Sequence, residues 1–254
     1  MNLNNHIVNS IKYSLIAVLL LVVIGFSNVK HSSKLISDVV VNIDNQFENY
    51  FIDQSDVYDL IHETGKSYLL NLDIDNLELR KIEKQIEAHR FINDAEVYLN
   101  LDGQLTIDVT QNRPLARILN PEGDDHYIST TGDILPVSSH YTARVPLLSF
   151  ARGTGFSNEN INNTPEGAAL FSLLRITDSD EFWKAQIASI SVNKSYELTL
   201  YPQVTKQLIR FGRAVDNEQK LRKLKVFYKE ILPSKGWNTY TEVNLNFKNQ
   251  IVCK

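Results

Sequence analysis

Ala95-Glu96-Val97-Tyr98-Leu99-Asn100-Leu101-Asp102-Gly103-Gln104-Leu105-Thr106-Ile107-Asp108-Val109-Thr110 is the stretch on which the fold class turns. Ala95, Val97, Leu99 and Leu101 alternate with Glu96, Tyr98 and Asn100. Leu105, Ile107 and Val109 alternate with Thr106, Asp108 and Thr110. A period of two puts each apolar set on one face of a strand. Between the runs sits Asp102-Gly103, a pair suited to a two-residue turn in which both residues take φ > 0. The expectation is a β-hairpin with one buried face.

Upstream, Val39, Val40, Val41 and Ile43 form a β-branched run, a first strand. Ser55, followed by Val57, Leu60 and Ile61, reads as a capped short helix ended by Gly65. Asp75 and Glu78 have capping-box spacing, and Leu79, Ile82 and Ile86 recur at helical period, giving a second helix. Residues 38–112 thus read strand, helix, helix, strand, strand. That order resembles a POTRA module, in which two helices cover one face of a small sheet and an edge stays available to a partner.

Downstream, Asn112-Arg113-Pro114 marks a boundary, because proline restrains the residue before it and cannot donate within a strand. Strands are expected at Leu115–Leu119, Tyr127–Thr130, Ile187–Val192, Leu198–Tyr201 and Gln207–Phe211, with a last one from Tyr240 to Val252. One helix starts near Pro165 and carries Ala168, Leu170, Phe171 and Leu174. Another runs from about Asp216, with Leu221, Leu224, Tyr228 and Ile231 on one face, and stops at Pro233 and Gly236. The class is α+β. Residues 113–254 form a β-rich domain with helices packed on a mostly antiparallel sheet.

Ahead of all this, residues 13–29 contain no charge. Leu15, Ile16, Leu19, Leu20, Leu21, Val22, Val23 and Ile24 supply the apolar body of a transmembrane helix. As a helix the segment is about 25 Å long, and Lys12 and Lys30 can snorkel to make up the hydrocarbon thickness. Residues 1–12 then form a tail and 30–37 a polar linker. A cleaved signal peptide is the competing reading, with Gly25-Phe26-Ser27 as a small-x-small site. Alanine is absent from both cleavage positions, and the apolar run is long for that role. Lys12 and the amino terminus on one side balance Lys30 and Lys34 on the other, so loop charge assigns no orientation.

A net charge of −4 over 254 residues gives no bulk attraction for nucleic acid. Lys220, Arg222, Lys223, Lys225 and Lys229 cluster on an expected helix and read as a solvated face. Cys253 is the only cysteine, which excludes an internal disulfide and a thiolate metal cluster. Gly65-Lys66-Ser67 lacks the earlier glycine of a phosphate-binding loop, since Leu60 stands there. His62-Glu63 lacks the second histidine of a zinc-protease motif, since position 66 is Lys66. Asp124-Asp125-His126 reads as an acidic turn before a strand. No catalytic residue, metal ligand, cofactor or small-molecule substrate is expected, and the chain reads as non-enzymatic.

Several short stretches, in order, resemble the FtsQ/DivIB family of bacterial division proteins. Asn112-Arg113-Pro114-Leu115-Ala116-Arg117-Ile118 resembles its passage out of the POTRA module. Tyr127-Ile128-Ser129-Thr130-Thr131-Gly132-Asp133 resembles the following hairpin, and Val145-Pro146-Leu147-Leu148 the segment after that. Glu242-Val243-Asn244-Leu245-Asn246-Phe247-Lys248-Asn249-Gln250 resembles its closing strand, with Asn244 where aspartate is usual and Asn246 where arginine is usual.

The resemblance implies a divisome scaffold in the inner (cytoplasmic) membrane at the septum, with residues 1–12 cytoplasmic and the rest periplasmic. Partners resembling FtsB and FtsL, small membrane-anchored coiled-coil proteins, would bind near the last strand. Glu242, Asn244, Asn246, Phe247, Lys248 and Asn249 are the expected partner-binding residues. On that strand Thr241, Val243, Leu245 and Phe247 should face the core, and Glu242, Asn244, Asn246 and Lys248 the partner. A POTRA-bearing secretion or outer-membrane assembly component, and a secreted enzyme released by signal cleavage, are the alternatives.

Overall fold

The computed structural model describes residues 13–16, 18, 19, 35–44, 50–63, 65–74, 77–156, 159–248 and 250–254. The first strand forms where the β-branched run placed it, as β1 (Asp38–Asp44), with Val39 and Val41 buried. Three helices follow where two were expected: α1 (Gln54–Ile61), α2 (Lys66–Leu70) and α3 (Leu79–Glu87). The missed one, α2, is a single turn. Gly65, read as a terminator, instead opens it from φ 56°. α1 begins one residue before Ser55, so Ser55 lies inside the helix. The Asp75 cap lies outside the described residues, while the Glu78 carbonyl accepts the first bonds of α3 from Lys81 and Ile82.

The hairpin forms between β2 (Ile92–Leu99) and β3 (Gln104–Gln111), but its turn differs from the expected one. Gly103 alone has positive φ, at 80°. The Gly103 N–H donates to Asn100 O (3.0 Å) and the Asn100 N–H to Gln104 O (2.9 Å). This is a three-residue loop, a turn closed by a left-handed glycine. Leu101 therefore leaves the strand, and instead of joining the core it stands fully exposed, at 103%. Strand order in this sheet is β1-β3-β2. Val57, Ile61, Leu69, Ile82 and Ile86 from the helices are buried, as are Val97, Leu105 and Ile107 from the strands.

The second sheet has nine strands in the order β12-β11-β10-β9-β8-β7-β4-β5-β6. They are β4 (Pro114–Leu119), β5 (His126–Ser129), β6 (Ile134–Pro136), β7 (Leu147–Phe150), β8 (Ile187–Val192), β9 (Leu198–Pro202), β10 (Leu208–Gly212), β11 (Glu242–Asn244) and β12 (Val252–Cys253). Of its neighbouring pairs, β4–β7, β7–β8 and β10–β11 are parallel and the rest antiparallel. Its helices are α4 (Pro165–Ser179), α5 (Glu181–Gln186), α6 (Asn217–Val226) and α7 (Leu232–Lys235). Thr164 caps α4, accepting from the Gly167 N–H at 3.1 Å. Short α5, unmarked by any periodicity, is capped by Asp180. Leu170, Leu174, Trp183, Ile190, Leu200, Phe211, Leu224 and Phe227 belong to one buried cluster.

Between α6 and α7 the chain makes a π-turn over Phe227–Ile231. A π-turn adds one residue to the helical count. Leu232, not the expected Ile231, is thereby the fully buried residue, and Ile231 is only half-buried. The same turn lets the helix pass Pro233, whose ring would clash with a regular preceding turn. The helix ends at Gly236, with φ 99°.

The chain forms two compact units. One holds residues 1–43, 54–87 and 95–109, and the other residues 44–53, 88–94 and 110–254.

Tyr13–Ile16, Val18 and Leu19 are helical, so Leu15, Ile16 and Leu19 of the expected anchor are described and are exposed. Leu20, Leu21, Val22, Val23 and Ile24 lie outside the described residues. Among the described residues no helix is long and apolar enough to cross a membrane.

Candidate functional site

The expected closing strand from Tyr240 to Val252 is not continuous. It consists of β11, a turn, and the returning β12. β11 pairs parallel to β10 (Ile209 opposite Val243), and β12 antiparallel to β11 (Val243 opposite Cys253). Val243 and Leu245 are buried, as their alternation requires.

The break is built locally. The Asn244 side-chain oxygen accepts from the Asn246 N–H at 2.9 Å, an Asx turn that competes with strand pairing. Asn246 packs against Gly212, where a Cβ would stand 1.8 Å from Asn246 Oδ1. Gly212 has φ 74°, so glycine is required there twice over, by conformation and by space. Lys223 Nζ, on α6, then donates to the carbonyls of Phe247 (2.8 Å) and Lys248 (3.4 Å).

The six expected contact residues therefore part company. Glu242 is half-buried and pairs with Arg210 at 3.2 Å, and Asn244 is occupied by its turn. Asn246, Phe247 and Lys248 sit on the turn rather than on a strand face. Phe247, expected in the core, is 44% exposed. Asn249 lies outside the described residues.

What the sequence reading did not foresee is that β12, not β11, ends the sheet. Glu242 and Lys254 exchange backbone bonds, Glu242 N–H to Lys254 O at 3.2 Å and Lys254 N–H to Glu242 O at 3.0 Å. In an antiparallel ladder the residue next to such a pair directs its backbone groups to the other side. Cys253 thus presents its N–H and C=O away from β11. Among the described residues no strand pairs with that side of β12.

The opposite end of the sheet is closed. The Ile134 N–H on β6 donates to Glu159 O at 2.9 Å, Ile161 donates to Gly132 O at 2.8 Å, and Pro136 has no donor to offer. One edge is blunted, the other open.

Of the basic cluster, Arg222 and Lys229 are exposed as a solvated face requires, whereas Lys220, Lys223 and Lys225 are taken up by the fold. Lys220 is only 9% exposed and donates to the carbonyls of Phe211 (2.9 Å) and Arg213 (2.8 Å). Burial lowers its pKa below the ordinary lysine value. Lys225 meets Asp180 at 2.7 Å, and this bond holds the Asp180 carboxyl below the usual carboxylate range. Arg222 pairs with Glu218 at 3.6 Å along the helix.

The other candidate motifs also serve the fold. Lys66 meets Asp38 at 2.8 Å, and the His62 ring stacks on Tyr68 at 4.1 Å. Asp125 accepts from the Asn120 N–H (2.9 Å) and from Arg117 (2.8 Å), and these bonds, the backbone one foremost, depress its pKa. A cavity of about 720 Å³ beside β4 and β7 is bordered by Glu122 and Arg152, which pair with each other at 3.1 Å. Among the described residues no three potential metal ligands converge. Cys253 is partly buried, and that burial pushes its thiol pKa up.

Residues 113–254 match the family model for the FtsQ/DivIB C-terminal-related domain, and residues 35–110 match a POTRA-like domain. The chain belongs to the FtsQ/DivIB family. Members of this family are non-enzymatic. The chain is 24% identical over 185 residues to the cell division protein FtsQ of Geotalea daltonii, covering 70% of this chain and 64% of that one. It is 26% identical over 184 residues to the cell division protein FtsQ of Rhodothermus marinus, covering 70% and 66%. It thus spans just under two thirds of the length of these relatives.

Proposed function

We propose that this protein is a membrane-anchored division scaffold that gathers other division proteins at the septum through its extracytoplasmic domain. Residues 13–29 cross the inner membrane once, with residues 1–12 in the cytoplasm. A partner segment resembling the membrane-anchored FtsB or FtsL binds by adding a strand to β12. The observation that carries this is the open β12 edge in a sheet whose other end is closed. Main-chain bonds supply affinity in such an addition, and neighbouring side chains supply selectivity. Phe247, exposed in the turn that leads from β11 to β12, offers an apolar contact.

The edge can be tested without disturbing the fold. The Cys253 N–H points outward, so Cys253→Pro removes a donor offered to the partner and none used by β11. Co-purification from membranes should show the partner lost in Cys253→Pro while the melting temperature stays close to that of the parent. Retained partner at parental levels sinks strand addition at β12. At the level of the cell, depletion should give filaments and a fluorescent fusion should gather at midcell. Uniform membrane fluorescence with normal septation contradicts the scaffold role.

A further inference from the structure

We propose that the tip of the β2–β3 hairpin rests on the lipid bilayer into which the chain is anchored. The inference depends on the membrane-anchor reading of residues 13–29. Leu35 follows Val29 by six residues, so full extension allows at most about 20 Å between the end of that span and Leu35.

Leu35 is in turn fixed to the hairpin tip. The Ser37 N–H donates to Gly103 O at 2.8 Å and its hydroxyl to Asp102 O at 3.2 Å. The Leu35 carbonyl lies 3.9 Å from where a Gly103 Cβ would stand, and Leu35 itself bridges to Asp73. Three chain segments therefore meet where the polypeptide enters this unit.

That meeting point is apolar at its surface. Leu101 is fully exposed and Leu35 is 56% exposed, and half-buried Ile74 reaches the tip, its Cδ1 3.7 Å from where a Gly103 Cβ would stand. A leucine at a loop tip meets no packing need, and the three-residue turn is what ejects Leu101 from the strand. Of the charges beside it, Asp73 and Asp102 are acidic and Lys34, next to Leu35 in the chain, is basic, so together they carry no net positive charge. Attraction to anionic headgroups is thus not the driving force. The contact is apolar insertion at the headgroup boundary, insensitive to salt.

The test uses the full chain carrying Cys253→Ser, with one cysteine introduced as Leu101→Cys or, at the exposed far end of β3, as Thr110→Cys. Each is labelled with an environment-sensitive fluorophore and reconstituted into phosphatidylcholine vesicles containing a headgroup nitroxide lipid. Severalfold stronger quenching and a blue shift at position 101 relative to 110, unchanged by salt, are expected. Equal quenching at the two positions, in chains that float with the vesicles, overturns the contact while leaving the anchor intact. A blue shift without lipid quenching indicates protein burial and overturns it as well. Chains that fail to float defeat the anchor reading, and this inference falls with it.

Discussion

Lys220 lies among apolar neighbours with its ammonium on two carbonyls and over the Phe211 ring at 4.8 Å. Replacing it by methionine keeps most of the volume but takes the lysine donor from the Phe211 carbonyl, while the Arg213 carbonyl keeps the Val215 N–H at 2.8 Å. A buried polar group left unpaired costs about 1–3 kcal/mol. Urea unfolding of Lys220→Met should show a loss in that range, whereas Arg222→Met, at an exposed pair, should change little. The Asp180–Lys225 pair makes a pH prediction. A carboxyl with depressed folded pKa contributes stability that is present above the unfolded pKa and lost as pH falls through the folded one. The effect is confined to pH below about 4, and solvent screening holds it to about 0.5 kcal/mol. Asp180→Asn should flatten that acid limb and leave the neutral limb parallel. Cys253, its pKa raised by burial, is a protonated thiol at neutral pH and should react with iodoacetamide more slowly than a free cysteine.

At the scale of elements, the 244–248 turn decides where the edge lies. Gly212→Ala would place a Cβ on Asn246 and force a non-glycine residue to φ 74°. Positive φ alone costs about 1–2 kcal/mol, so stability should fall by at least that. Partner capture should fall too, because the turn that launches β12 is displaced. Adding Asn246→Gly should relieve the clash but not the strain, a partial rescue that a double-mutant cycle reads directly. In α6, Lys223→Met should leave the helix intact, yet speed amide exchange in β12. Retained exchange protection there would show that the turn holds without its lysine.

For the whole molecule, the second compact unit reaches back beyond residue 113. Phe51 stacks on Phe91 at 4.7 Å and meets the buried ring of Tyr127 at 5.7 Å, and the Asn112 side chain donates to the carbonyls of Arg90 and Ile92. All of these residues belong to that unit. A fragment beginning at Arg113 uncovers Tyr127 and should bind more hydrophobic dye and unfold at lower urea than one beginning at Leu35, which keeps β1 with the rest of its sheet and the whole of the second unit. Equal midpoints would mean that the aromatic cluster adds nothing to this core.

The sequence alone determined the element inventory wherever apolar periodicity ran long enough: the β2–β3 hairpin, β1, α3, α4, α6 and most strands of the larger sheet. It also marked the apolar span at residues 13–29 and the absence of recognisable catalytic motifs. Periodicity is a local property, readable because burial of one face repeats every two or every 3.6 residues. Helices of five or six residues, such as α2 and α5, fall below that signal.

Tertiary structure decided what periodicity does not encode. The π-turn moved the buried position from Ile231 to Leu232, the glycine-closed loop moved Leu101 from core to surface, packing turned Lys220 inward, and Lys223 settled on the 247–248 carbonyls. It also broke the closing strand and made β12 the edge. Each of these depends on which distant backbone group finds which partner, as Asn246 finds Gly212 and Lys254 finds Glu242, and those pairings exist only after the chain has folded.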